Sequence, residues 1–499
     1  MASRKKFSAP TSAATSAAAP KVGPSPRPAP PLPIATIEKL LGLAMARGAD
    51  FAEVYVERGT RTAVSLEEHK IRSAQVGVVH GVGVRAVEGS KVGYAFSDDL
   101  DDDALARAAA TAAAIAAGAG SSAPVRVSRV AIPQFYHVIE PLADVNVRKK
   151  VDLLMRGHDA AHAFDRRVSQ VMASYADHSR EISIANTDGY YAEDRQDLAR
   201  LHFSVISIGE DGERRAGFHG GGGRVGFGFY DTFRPEDVAR EAARQSVATL
   251  GAVDAPAGPQ TVVLAPGWSG ILLHEAIGHG LEADFIRKGT SLYAGKLGES
   301  VASDKVTVID DGTVASGRGS VNVDDEGVPA ERKVLIEKGK LVGYMFDRLS
   351  AKLMGQRSTG SGRRQSFKHI PLPRMTNTYL APGDDDPVDI LRSVKRGLYC
   401  QSFGGGQVDI SNGTFVFEVA EAYLIENGKL TRPVKNATLI GVGPEVLRNV
   451  AMVGCDPALD PGIGTCGKDG QSVPVGVGLP TMRIDDVTVG GTNMAGGRA

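Results

Sequence analysis

The sequence predicts an α+β protein: two N-terminal α+β subdomains, then a mostly antiparallel β domain, barrel- or sandwich-like, that carries one buried helix holding a metal-type motif. Three observations predict it. Helical spacing and strand-like alternation stand side by side in each of the first two segments. Beyond residue 259 hairpin signals dominate, and the 60 glycines imply many turns and close backbone approaches. Domains are expected over 34–124, 145–252 and 259–492, after an Ala/Pro-rich tail over 1–33.

That tail contains Arg4, Lys5, Lys6, Lys21 and Arg27 and no acidic residue, which resembles a transit peptide. Its prolines forbid a continuous amphipathic helix, so a disordered tail is expected. Ile37, Leu40, Leu41, Ala44 and Met45 fall at helical spacing, with Gly48 placed to end the helix. From Phe51 to Ser97 the pattern alternates, as in Ala52-Glu53-Val54-Tyr55-Val56-Glu57, and predicts strands joined by turns. Asp98 to Asp103 offer N-caps to an alanine-rich helix over 104–117, and 118–124 reads as a linker.

The second unit opens with helical spacing at Val147, Val151, Leu154 and Met155. Strands are expected at 168–175, 181–186 and 201–208. The Gly220–Gly223 run makes either a loop or glycine-rich strands. Arg234-Pro235-Glu236-Asp237 starts a helix ending near Leu250, because proline suits the first helical position and acids suit the first turn. Pro256 to Pro259 reads as a boundary. Further on, Asp310-Asp311-Gly312 is a turn signal, and Asn427-Gly428 is the strongest hairpin dipeptide. Short helices are expected at 346–354, 387–397 and 444–453.

Composition excludes several classes. A formal net charge of −1 favours neither a nucleic-acid nor an anionic-membrane partner. No apolar run reaches the roughly 18 residues of a membrane span. The 3 cysteines are too few for a disulfide framework and favour a reducing compartment, so a cytoplasmic location is expected. His80-Gly81-Val82-Gly83 lies among strands and lacks the helix and third glycine of a dinucleotide fingerprint.

The chemistry concentrates in His274-Glu275-Ala276-Ile277-Gly278-His279. Ile271, Leu272, Ala276, Ile277 and Phe285 suggest a buried helix, where a His-Glu pair is costly unless satisfied. Zinc would satisfy it, and a neighbouring carboxylate can then act as a base towards water. Core histidines hydrogen-bonded to backbone are the other reading. The spacing is i and i+5, which in an ideal α-helix turns the second imidazole about 140° from the first. A one-turn π-bulge would realign them, and Gly278 and Gly280 make such unwinding tolerable. Cys466, in a glycine-rich loop with Lys468 nearby to favour the thiolate, is the third candidate ligand. An inert thiol or a disulfide with Cys455 stays open at this point. Cys400 reads as structural, and the remaining histidines as ordinary.

The motif with Gly280-Leu281-Glu282 resembles the TldD/PmbA (TldD/TldE) metallopeptidase family. Gly289-Thr290-Ser291, Pro373-Arg374-Met375-Thr376-Asn377-Thr378, Gly404-Gly405-Gly406-Gln407-Val408-Asp409 and Thr465-Cys466-Gly467-Lys468 are similar to its catalytic TldD branch, over about residues 35 to 492. The resemblance implies His274, His279 and Cys466 as zinc ligands and Glu275 as base. It implies hydrolysis of unfolded peptides through a metal-activated water, in a dimer with an inactive PmbA/TldE-like paralogue; a homodimer is the alternative. Gly404, Gly405, Gly406 and Gln407 are candidate substrate contacts at a sheet edge, or a tight turn in the barrel. Glu282 and Asp284 are candidates to orient ligands, with capping or surface roles as the other reading. A non-catalytic modulator subunit, the competing class, would lack one of the four site residues. A zinc hydrolase acting on a non-peptide amide is the other alternative.

Overall fold

The structure is a computed structural model that describes residues 31–118, 124–491 and 493–494. Most of the tail expected over 1–33, and residues 119–123 of the expected linker, lie outside the described residues.

The N-terminal half runs α1 (Ile34–Met45), β1 (Phe51–Glu67), β2 (Lys70–Glu88), β3 (Lys91–Ser97) and α2 (Asp102–Ile115), then a short β4 (Ser128–Arg129). It continues with α3 (Val147–His162), β5 (Val168–Asn186), β6 (Tyr190–Ile208), β7 (Arg214–Gly223) and α4 (Pro235–Ala248). Both segments feed one seven-stranded sheet ordered β3-β2-β1-β5-β6, with β4 and β7 also paired to β6. The strands are longer than the alternation suggests: β5 runs unbroken through both segments read separately over 168–186. Asn146 caps α3 by accepting from the Arg148 amide at 2.9 Å, whereas Asp101, at the cap of α2, makes no side-chain cap bond.

β1 shows what the alternation means. Val54 and Val56 enter a core with Ile37, Leu40 and Leu41 of α1 and Leu105 of α2. The opposite face carries Glu53, Tyr55 and Glu57, and it is not solvated: Glu57 is 0% exposed. That face packs against the C-terminal part of the chain. Arg85 donates to Glu53 at 3.0 Å and to Glu326 at 2.6 Å, Arg364 pairs with Glu53, and the Phe367 amide donates to Glu57 at 2.9 Å. Charges removed from water in this way are tolerable only when paired.

The C-terminal part begins with β8 (Val253–Asp254) and β9 (Pro256–Leu264). The prolines read as a boundary therefore lie inside a strand, whose parallel and antiparallel neighbours are 396–409 and 482–490. These strands, with 414–426 and 438–442, close into a five-stranded barrel. Its interior is filled by Val262, Leu264, Leu398, Phe415, Phe417 and Leu439. A second sheet contains Val308–Asp311, Asn377–Leu380 and Gly476–Leu479. Asp310, read as part of a turn, is buried in this sheet, because Thr376, Thr378 and Lys333 supply its hydrogen bonds. The Asn427-Gly428 turn forms as expected, with φ of 52° and 73°. The last two short helices end early, at Arg392 and Arg448, where the chain enters new strands. Among the described residues no helix is long and apolar enough to cross a membrane.

Candidate metal centre

β9 delivers the chain to the motif. After Leu264 a short turn leads through Trp268–Gly270 into a helical segment from Ile271, which passes into a π turn over His274–Gly278. The His279 amide donates to the His274 carbonyl, the i→i+5 bond that the spacing requires. The chain leaves helical geometry at Glu282, whose ψ is 126°, so Phe285 belongs to a separate helix over Ala283–Arg287.

The glycines have a different reason from the one the sequence suggests. Gly278 has φ −54° and ψ −54°, a helical conformation open to any residue. What it lacks is room: a Cβ there would overlap Met375 Sδ, and one at Gly280 would press on the Tyr293 ring. The Tyr293 hydroxyl donates to the Ala276 carbonyl at 3.1 Å, and the Ser291 hydroxyl to the Gly280 carbonyl at 2.6 Å. The distorted turn is thus clamped from outside, which satisfies carbonyls that a π turn leaves poorly paired.

This turn faces Cys466, which lies in a strand, Thr465–Lys468, rather than in a loop. That strand forms a hairpin with Gln471–Pro474. Cys466 Sγ stands 3.4 Å from His279 Nε2, and the two imidazoles lie nearly perpendicular with centroids 4.9 Å apart. One ligand atom from each of His274, His279 and Cys466 falls within 4.8 Å of the others, and all three residues are buried. Cys455 and Cys466 are both free, so no disulfide competes.

The electrostatics favour the thiolate at Cys466 and keep a proton on His279. Burial would raise the Cys466 thiol, but His274 and His279 outweigh it and hold the thiol well below its usual range. Burial disfavours charge on His279, yet Glu282 and Cys466 push its imidazole well above the ordinary value. Glu275, half-buried on the same turn, has its carboxyl raised by burial, with His274 and His279 opposing. The His274 Nδ1 is buried with no hydrogen-bond partner. Two imidazoles and a thiolate, buried together with a ring nitrogen unpaired, fit a tetrahedral N/S-binding ion such as zinc with one position left open.

Outside these three residues lies a charged support. His279 Nδ1 is 3.1 Å from Glu282 Oε2, which also accepts from Lys468 Nζ at 3.0 Å. Lys468 donates further to Asp284 at 2.7 Å and to the Pro373 carbonyl at 3.1 Å. Burial alone would raise Glu282, but Lys468 and His279 outweigh it and hold the carboxyl at about 2. Lys468 therefore acts on the carboxylates. The cation donating to the thiol is Arg374, at 3.1 Å to Cys466 Sγ and 2.7 Å to its carbonyl. Sequence reasoning missed this role, since nothing local links an arginine to a cysteine 92 positions away.

Three family models match this chain in order: PmbA/TldA metallopeptidase domain 1 over residues 52–116, central domain over 140–250 and C-terminal domain over 257–491. The chain belongs to the PmbA/TldD metallopeptidase family. A Metalloprotease TldD homolog from Haemophilus influenzae is 46% identical over 472 residues, covering 92% of this chain and 96% of the relative. A metalloprotease from Methanothermobacter thermautotrophicus is 34% identical, over 89% of this chain and 96% of its own length. The crystal structure of TldE from Thermococcus kodakarensis superposes with a TM-score of 0.73 at 20% identity, covering 91% of this chain and 99% of that one. This likeness extends to the fold. Family membership makes the chain a metal-dependent hydrolase of peptide bonds, and the buried His274, His279 and Cys466 form a group that could hold a metal.

Gly404–Gln407 lie in the strand Arg396–Asp409 and are exposed. On one side this strand pairs with 414–426 along its length; on the other, β9 pairs only as far as Cys400. Among the described residues no strand pairs with that second side beyond Cys400. Bulges at Cys400–Gly405 bend the strand there, and Trp268 anchors the bend by donating from Nε1 to the Phe403 carbonyl at 2.8 Å.

Proposed function

We propose that this chain is a zinc peptidase acting on unfolded or extended peptides, with His274, His279 and Cys466 holding the metal and Glu275 as the base. The observation that carries this reading is the π turn, which brings two buried histidines to one cysteine and leaves a carboxylate beside them. When bound, zinc supplies Lewis acidity for polarising a carbonyl and for acidifying water.

The chain's own residues do the rest. A Glu275 carboxylate oxygen accepts a proton from the attacking water and later returns it to the departing amine nitrogen. Glu282 holds the His279 ring by Nδ1, which leaves Nε2 turned towards Cys466. Arg374 fixes both the Cys466 carbonyl and its sulfur. The exposed side of 404–407 offers unpaired backbone groups to an extended peptide, which recognises the main chain and so requires no folded substrate. A PmbA/TldE-like paralogue is the proposed partner, or failing that a second copy. The cytoplasm is the proposed location, where a reducing environment keeps Cys466 a free thiol.

The test compares wild type with Glu275→Ala in the presence of a PmbA-like partner, measuring zinc content and cleavage of an unfolded peptide. Wild type should carry zinc and cleave, and the variant should keep zinc and not cleave. Cleavage by the variant at the wild-type rate would remove Glu275 from the mechanism. Wild type that takes up no zinc would remove the ligand set.

A further inference from the structure

The metal centre leaves a second group of histidines unused, where the tip of the β1–β2 hairpin meets α3. Glu68 and His69 form the two-residue turn at that tip, with φ of 46° and 59°. The Glu68 Oε1 accepts from the Val171 amide at 2.6 Å, which ties the carboxylate to the start of β5. α3 presents His158 and His162, at i and i+4 on one face. His158 is 2% exposed, and its Nδ1 is 3.1 Å from Asp159 Oδ1. The same oxygen lies 3.0 Å from His69 Nε2. The Nε2 of His158 is buried and has no hydrogen-bond partner. His162 Nε2 stands 3.5 Å from Glu68 Oε2, and the His158 and His162 ring centroids are 4.6 Å apart.

We propose that Glu68, His158 and His162 form a second zinc site, separate from the His274/His279/Cys466 centre. One ligand atom from each lies within 4.8 Å of the others. With Nδ1 of His158 occupied by Asp159, Nε2 is the nitrogen left for a cation. An acceptor buried without a donor is the feature a cation would resolve. Asp159 then plays the part of the outer carboxylate that orients a ligating imidazole. Two imidazoles at i and i+4 and one carboxylate are a donor set suited to zinc. The side chains of Glu68 and His162 are partly exposed, so the ion enters from solvent and keeps water in its remaining position. Binding would pin the hairpin tip of the first segment to the first helix of the central one.

The test is zinc uptake by the full chain, by equilibrium dialysis at micromolar free zinc followed by elemental analysis. Wild type should take up two ions per chain, and His162→Gln and Glu68→Gln one each. Both positions are partly exposed, so these variants should fold as wild type does, which circular dichroism checks. Cobalt substitution identifies the ion that is lost: the thiolate-to-cobalt band from Cys466 should persist in both variants. Cys466→Ser should lose that band and still bind one ion. Saturation of wild type at one ion, or uptake of two by His162→Gln, would overturn the proposal.

Discussion

Replacing Glu282 by glutamine removes one charge from the support beneath His279 and changes the side chain's volume very little. The carboxylate is fully buried and serves two partners, His279 Nδ1 at 3.1 Å and Lys468 Nζ at 3.0 Å. Breaking a buried ion pair from one side costs about 3–5 kcal/mol. Asp284 still pairs with Lys468 at 2.7 Å, so the loss should sit near the lower end, about 3 kcal/mol. The amide cannot stand in for the carboxylate as an acceptor for both partners with the same strength, so His279 loses part of its orientation. Loss of such a partner typically weakens metal binding about 10–100-fold. Chelator competition measures the second effect, and urea unfolding of the metal-free chain the first. A companion Glu275→Gln variant should change either quantity little, because that residue is half-buried and is not a ligand. If Glu282→Gln binds zinc as tightly as wild type and unfolds at the same urea concentration, the support described here has no energetic role.

Gly278→Ala should destabilise the chain by about 1–3 kcal/mol through overpacking, because its Cβ would overlap Met375 Sδ. Met375→Ala in the same chain should recover part of the loss, as thermal unfolding would report; an unchanged midpoint in the single variant would show that the turn has spare room. Gly405→Val adds a side chain where a Cβ meets nothing, so folding and zinc content should hold while the KM for an unfolded peptide rises on the order of tenfold. An unchanged KM would remove this edge from the substrate path. Burial would raise the Asp310 carboxyl, but Lys333 at 3.0 Å and Thr376 hold it below the usual range. A depressed folded value means that its stabilisation is full above the unfolded value of about 3.9 and is lost as the pH falls through the folded one. Asp310→Asn should therefore cost about 3 kcal/mol near pH 7, with the gap to wild type closing below about pH 4 in urea titrations. A gap independent of pH would refute the charged role.

Much of this protein was determined by local sequence. The helices over 34–45, 147–162 and 235–248 follow from apolar spacing and from Pro235 at a helix start, and the Asn427-Gly428 hairpin from two residues that tolerate positive φ. The i, i+5 histidines required a π turn, and one formed, because the geometry of two side chains on one helix is a local matter. The spacing also put Glu275 beside both imidazoles without reference to the rest of the chain.

Tertiary structure decided what faces what. Alternation in β1 marks two faces, but only the docked C-terminal half shows that the charged face is buried and that Arg85 and Arg364 must neutralise Glu53. By sequence Gly278 and Gly280 make local unwinding tolerable, but in the fold they are gaps for Met375 and Tyr293, since the need for space is set by residues distant in sequence. Arg374 reaches Cys466, and Lys468 reaches Glu282 and Asp284, only because the strand bearing Cys466 and Lys468 packs beneath the π turn. Periodicity reports which residues leave water; which partner each then meets depends on contacts between segments far apart in the chain, and no local pattern encodes those.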